Sequence, residues 1–295
     1  VTEPLPPTEA VDDATRELDV LSTHDLVEVL VSRQQRAVDA VRAAVPAISA
    51  AVEAIASRLA AGGSLHYVGA GSSGRIGVLD AAEAPPTFGT PPSLVRAHIA
   101  GGAAALVAAI EGAEDDAAAA KPLEREWRRG DALVGISASG GAAFVVEAVE
   151  RARTAGVYTV ALTSVAHSRL AGAADLAIVL PTGAEPLAGS TRMLAGTAQK
   201  IALNALSTAA MVRLGKTYGN LMVDLVATNE KLRRRALQLV RDVGKVDATR
   251  ASALLSAAGG SVKVAIVMAR RGMDVSSARD ALAQAGGRLR ALLEG

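Results

Sequence analysis

Leu65-His66-Tyr67-Val68-Gly69-Ala70-Gly71-Ser72-Ser73-Gly74-Arg75 is the stretch that decides the fold. Its first four residues read as a short strand, the next few are small, and a helical pattern follows. The same grammar recurs downstream. Leu94–Ile99, Ala132–Ile136, Tyr158–Leu162 and Leu176–Leu180 read as four more strands, each followed by small residues and a helical stretch. Such alternation builds βαβ units and predicts an α/β fold: a doubly wound parallel sheet of about five strands. N-terminal to it, residues 22–61 carry apolar residues at helical spacing, with Ser22 or Thr23 as cap and Pro46 dividing the run into two helices. Gly189–Leu214 reads as a long helix. Residues 1–20 read as an extended arm, 21–245 as the α/β domain with its flanking helices, and 246–295 as a small module of three helices separated by Gly-Gly pairs.

The loop after the first strand has the composition of an anion site. Glycines let backbone N–H groups approach a phosphate, and the helix start adds favourable potential. Gly69, Gly71 and Gly74 also satisfy a dinucleotide spacing, but the next strand ends in Ala-Gly-Gly instead of the ribose-binding acid. Ser72 and Ser73 suit a single phosphate, and a plain strand-to-helix turn remains the alternative. A second loop, Ser137-Ala138-Ser139-Gly140-Gly141, also follows a strand and precedes a helix. Two such loops on one parallel sheet face the same crevice. Ser190 and Thr191 read as helix caps or as an anion site, with Arg192 and Lys200 nearby.

Two groups of acids stand out. Glu83 lies in Asp80-Ala81-Ala82-Glu83-Ala84-Pro85-Pro86, at the end of a helix that the prolines stop. An apolar, proline-bounded setting favours the protonated carboxyl and suits a general acid. Glu111-Gly112-Ala113-Glu114-Asp115-Asp116 closes a helical run starting near Ala103, where acids oppose the helix dipole. Each group also reads as ordinary surface acids. His98 reads as a hydrogen-bonded core histidine, and Trp127 as part of a surface connector.

Composition narrows the classes. Half of the 295 residues are hydrophobic and only 2% aromatic, so a core is assured and base-stacking platforms are scarce. Lys and Arg (31) nearly balance Asp and Glu (30), and the one dense basic cluster, Lys231–Arg235, reads as a solvated helix face, against a nucleic-acid partner. There is no cysteine and the four histidines are scattered, which argues against a metal site. No apolar run reads as a membrane span and the first residues do not read as a signal peptide, so the expectation is a soluble cytoplasmic protein.

These segments together resemble the N-acetylmuramic acid 6-phosphate etherases of the sugar-isomerase (SIS) fold superfamily. The resemblance is carried by Tyr67–Phe88 (YVGAGSSGRIGVLDAAEAPPTF), Ile99–Asp115 (IAGGAAALVAAIEGAED), Gly189–Leu214 and Gly215–Leu232 (GKTYGNLMVDLVATNEKL). It implies cleavage of the D-lactyl ether by elimination and hydration without metal or other cofactor. Glu83 falls on the family's acid and Glu114 on its base. The resemblance places the sugar phosphate among Gly71, Ser72, Ser73, Gly74, Ser137, Ser139, Gly140, Ser190 and Lys200. It also implies a homodimer and a ubiquitin-associated-like C-terminal module. The chain departs from the family pattern where the second loop has Gly141-Ala142-Ala143 for Arg-Thr-Pro. It departs again at Leu194, where lysine is usual, and at Val31-Ser32-Arg33-Gln34, where acids are usual. A non-catalytic sugar-phosphate regulator and an aldose–ketose isomerase are the competing readings.

Overall fold

Strands buried on both faces carry mainly apolar side chains, and β1 (Leu65–Gly69), polar at His66, and β3 (Ala132–Ile136) are buried throughout. They form the centre of a five-stranded parallel sheet in the order β2-β1-β3-β4-β5, with β2 at Val95–Ile99, β4 at Tyr158–Thr163 and β5 at Leu176–Val179. All five expected strands are present, shifted by at most a residue at either end. The computed structural model describes residues 6–227 and 229–294. These fall into two compact units, residues 6–81 with Leu94–Ser207, and Ala82–Ser93 with residues 208–294. Among the described residues no single helix is long and apolar enough to cross a membrane.

The N-terminal region departs from expectation twice. Helices α1 (Thr23–Ser32), α2 (Gln35–Ala43) and α3 (Val45–Ala60) replace the expected pair. Pro46 starts α3 as foreseen, but a further break falls at Arg33-Gln34. Residues 6–20 of the expected arm form three short 3-10 turns, and its first five residues lie outside those described. Asp12 holds this segment in place between Arg33 (3.2 Å) and Arg36 (2.9 Å) on the helices.

Helix α4 (Gly71–Phe88) follows β1 at once, and its first turn lies hard against the strand end. A Cβ on Gly74 would stand 2.6 Å from the Ile99 side chain and 2.8 Å from the Gly69 carbonyl oxygen. The helix also runs through Pro85 and Pro86 and stops only at Gly89, whose N–H bonds the Pro85 carbonyl at 2.9 Å. The expectation that the prolines end it is therefore corrected. Only the Ala81 and Ala82 carbonyls lose helical donors so close to the end, a defect the last turn absorbs.

The connection from β2 to β3 contains no α-helix. Residues 102–106 form a 3-10 turn, 107–116 turns, and Ala117–Arg125 a longer 3-10 segment containing Pro122. The expected helix from Ala103 to Asp116 is corrected: Gly101 and Gly102 just before it and Gly112 within it are all left-handed. The acids thus oppose no helix dipole, and Asp116 instead caps the 3-10 segment by accepting the Ala119 N–H at 3.2 Å. Beyond β3 come α5 (Ala143–Thr154), α6 (Arg169–Ala173) and α7 (Leu194–Arg213). In the second unit α8 (Glu230–Gly244) shares one core with α9 (Ala248–Ala257), α10 (Val262–Arg271), α11 (Val275–Gln284) and α12 (Leu289–Leu293). Four helices, not three, thus follow Asp247. The buried Lys263 ammonium ties this unit together, donating to the Gly215 and Gly287 carbonyls at 2.8 Å and to Asp224 at 2.7 Å.

Trp127 is buried, against the expectation of a surface connector, and packs edge-on to His66 and His98. His98 is a core histidine as expected, its Nε2 lying 3.1 Å from His66 Nδ1. In neutral rings one nitrogen donates and the other accepts, so charging both would set two N–H groups against each other. Burial, then the neighbouring His98, push the His66 pKa down to about 4, against a smaller opposing pull from Asp131. Below its unfolded value of about 6.5 the unfolded chain binds a proton the folded one refuses, so stability drops as pH falls from 6.5 to 4. The loss amounts to about 2–3 kcal/mol over that window. Urea unfolding of His66→Gln across pH 4–7 should show a visibly flatter dependence than the parent. At constant pH, Gly74→Ala should destabilise the fold by about 1–3 kcal/mol through overpacking, read as a lower urea midpoint.

Candidate functional site

In a doubly wound sheet the crevice opens at the carboxyl ends of strands whose connections leave in opposite directions. With the order 2-1-3-4-5 that point lies between β1 and β3, and the two serine-glycine loops are the segments that follow these strands. They line a cavity of about 270 Å³ together with Glu114. Of the expected residues, Gly71, Ser72, Ser73, Glu114, Ser137 and Ser139 all lie on its wall.

The polar groups are arranged for an anion. Helix α4 begins at Gly71, so Ser72 and Ser73 stand in its first turn, where backbone amides lack helical acceptors. Ser73 donates its hydroxyl to Gln199 Oε1 at 2.9 Å. Ser137 Oγ accepts the Gly140 N–H at 3.1 Å and Ser139 Oγ the Gly141 N–H at 3.2 Å. Both serines therefore keep an O–H to donate to a ligand. Gly140, with φ +67°, is buried beneath this turn and shapes it without lining the cavity. Gly74 likewise acts by close packing.

Glu114 is exposed at the end of the turns following β2, and its backbone carbonyl accepts the Phe144 N–H at 3.0 Å, which fastens it to the start of α5. It also borders a second cavity of about 200 Å³, lined by Arg75, Glu111 and several alanines. Arg75 reaches from α4 to the Ala105 and Ala108 carbonyls at 2.9 and 2.7 Å, bracing these turns where no helix stiffens them.

Three expected residues are not gathered here. Glu83 belongs to the other unit and is exposed, so the apolar setting expected around it is not found in the chain itself. Lys200 is exposed on α7 and hydrogen-bonded to Asn204. Asn204 in turn donates to Asp80 at 2.6 Å, and Asp80 also receives the hydroxyls of Tyr67 (2.8 Å) and Ser207 (3.1 Å). Burial raises the Asp80 pKa and these donors oppose the shift. Ser190 lies in the turn before α7, which starts at Leu194, while its neighbours Gly189 and Thr191 line the cavity.

Sequence reasoning missed two residues. The fully buried Glu185 caps α7, accepting the Leu194 N–H at 2.7 Å and the Ala195 N–H at 2.9 Å, the role expected of Ser190 and Thr191. A cap nine residues before its helix leaves no local pattern. Glu9 also lines the cavity, from the turn Pro7–Glu9. The prolines signalled that turn, but nothing signalled where it lands.

The comparisons follow this geometry. A model of the SIS domain matches residues 32–164. An N-acetylmuramic acid 6-phosphate etherase of Gloeobacter violaceus is 49% identical over 97% of this chain and 94% of its own length. One of Geobacillus thermodenitrificans is 44% identical over 97% and 98%, respectively. The chain belongs to the N-acetylmuramic acid 6-phosphate etherase family. Among solved structures, a phosphoheptose isomerase from Francisella tularensis is 20% identical over 65% of this chain and 98% of that one, with a TM-score of 0.46.

Membership gives the departures from the family pattern a structural reading. Arg33, where acids are usual, pairs with Asp12, and Gln34 accepts the Thr197 hydroxyl at 2.9 Å. Leu194, where lysine is usual, is fully buried. In the second loop the arginine is simply gone, and no Lys or Arg is among the lining residues of the larger cavity. Arg75→Ala should free the turns bearing Glu114, with faster amide exchange over residues 102–116 and a stability loss of about 1–2 kcal/mol. Unchanged exchange there would show that Arg75 does not hold them.

Proposed function

We propose that this chain removes the lactyl group from N-acetylmuramic acid 6-phosphate, giving N-acetylglucosamine 6-phosphate and D-lactate. The observation that carries this reading is the convergence of both serine loops and Glu114 on one cavity at the sheet's switch point. The phosphate takes the hydroxyls of Ser72, Ser137 and Ser139 with the first amides of α4. The opened sugar presents an aldehyde, which makes the C2 hydrogen acidic. Glu114 takes that proton, Glu83 protonates the departing ether oxygen, and the C3–O bond breaks. Water then adds to the unsaturated aldehyde at C3 and C2 is reprotonated. Both carboxylates owe their roles to the family resemblance.

The proposal extends to setting and assembly. A phosphorylated amino sugar is a cytoplasmic metabolite, and its ether marks it as a fragment of cell-wall sugar being recycled. A homodimer is supported by α1, which buries none of its residues within the chain and leaves Val27 and Val31 more than half exposed.

Lactate release from N-acetylmuramic acid 6-phosphate tests the reading. Glu114→Ala and Glu83→Ala should each lower kcat by about 100-fold or more, the usual contribution of a general acid or base. A parent protein that binds the substrate and releases no lactate would refute it.

A further inference from the structure

The proposed reaction contains a step that Glu83 and Glu114 do not serve. The C2 hydrogen is acidic only after the ring has opened. Opening takes the proton from O1, forms the C1=O1 double bond, breaks C1–O5 and places a proton on O5. Atoms and charge balance without any co-reactant, but one group must accept a proton at O1 and one must deliver a proton at O5. A single carboxylate beside the two oxygens does both in turn.

The cavity that holds the serine loops has two ionisable side chains among its lining residues, Glu9 and Glu114. They occupy different places. Glu114 lies where the larger cavity meets the smaller one, whereas Glu9 borders the larger alone, beside Gly189 and Thr191. A Cβ on Gly189 would stand 2.9 Å from Glu9 Oε2, so the carboxylate rests against the backbone of the cavity wall. Its position is fixed from both sides. The Glu9 N–H closes its turn on the Pro6 carbonyl at 2.8 Å and the adjoining Thr8 is fully buried. Three residues further on, Asp12 is clasped by Arg33 and Arg36. A carboxylate is an unfavourable neighbour for a phosphate, so its placement in an anion-binding cavity calls for a chemical reason.

We propose that Glu9 is the catalytic group of ring opening, its carboxylate taking the O1 proton and returning it to O5. This rests on the etherase reading of the same cavity and adds a third carboxylate to it.

The product, N-acetylglucosamine 6-phosphate, isolates the step, because it keeps the anomeric hydroxyl and has no lactyl ether. Exchange between its α and β anomers, followed by NMR magnetisation transfer at saturating protein, should be accelerated by the parent. Glu9→Gln should lose at least tenfold of that acceleration while its product Kd stays within about threefold or tightens. Glu9→Asp should keep part of it. Glu114→Ala should lose lactate release and still anomerise the product. Anomerisation at the parent rate in Glu9→Gln, its loss in Glu114→Ala instead, or no acceleration by the parent would each overturn the assignment. Failure of the etherase reading shows separately, as absence of lactate release from the parent.

Discussion

The contact between the end of β1 and the first turn of α4 leaves no room for a single extra carbon, and the serine-lined crevice depends on it. Gly69 and Gly74 face each other closely enough that a Cβ on either would meet the other's backbone below 3.0 Å. That approach brings the helix start, with its unpaired amides, to the strand end, and so fixes where Ser72 and Ser73 stand. The second loop obeys a similar constraint, since Gly140 lies beneath the serine turn in a left-handed conformation. Because β1 and β3 are neighbours in register and parallel, both loops emerge at the same edge of the sheet. The crevice is thus a consequence of strand order and of two places where only glycine fits.

Around this edge the protein buries acids without leaving them unsatisfied. Asp80 collects donors from β1 and α7, and Glu185 takes two amides at the start of α7. Burial raises the pKa of each, and the donors hold it down. Removing a partner would leave a buried carboxylate exposed to its full desolvation penalty, which binds α4, α7 and the sheet into one framework. Lys200 is drawn into that framework through Asn204 rather than into the cavity. Away from the crevice, the stacked His66 and His98 beneath Trp127 serve the core and make it acid-sensitive.

The fold's regular parts follow from local chemistry and were therefore legible. β-branched and apolar runs bounded by small residues mark the five strands, and their alternation with helical patterns marks the parallel sheet. The serine-glycine loops were legible for the same reason, since their glycines answer to backbone demands within a few residues. Where local signals conflicted, reading failed. The alanine-rich stretch after β2 has helical composition, yet its glycines and Pro122 turn it into 3-10 pieces braced by Arg75 from thirty residues earlier. Pro85 and Pro86 carry a strong stop signal, yet they fall where α4 has few donors left to lose.

Sequence by itself determined the sheet and the two loops, because strand periodicity and turn glycines are properties of neighbours along the chain. Tertiary structure alone decided that Glu185 caps α7, that Trp127 covers the histidines, and that Glu9 enters the cavity beside Gly189. Each of these depends on contacts between residues far apart along the chain, where a single side chain's position is set by the packing of whole elements and leaves no mark on the sequence around it.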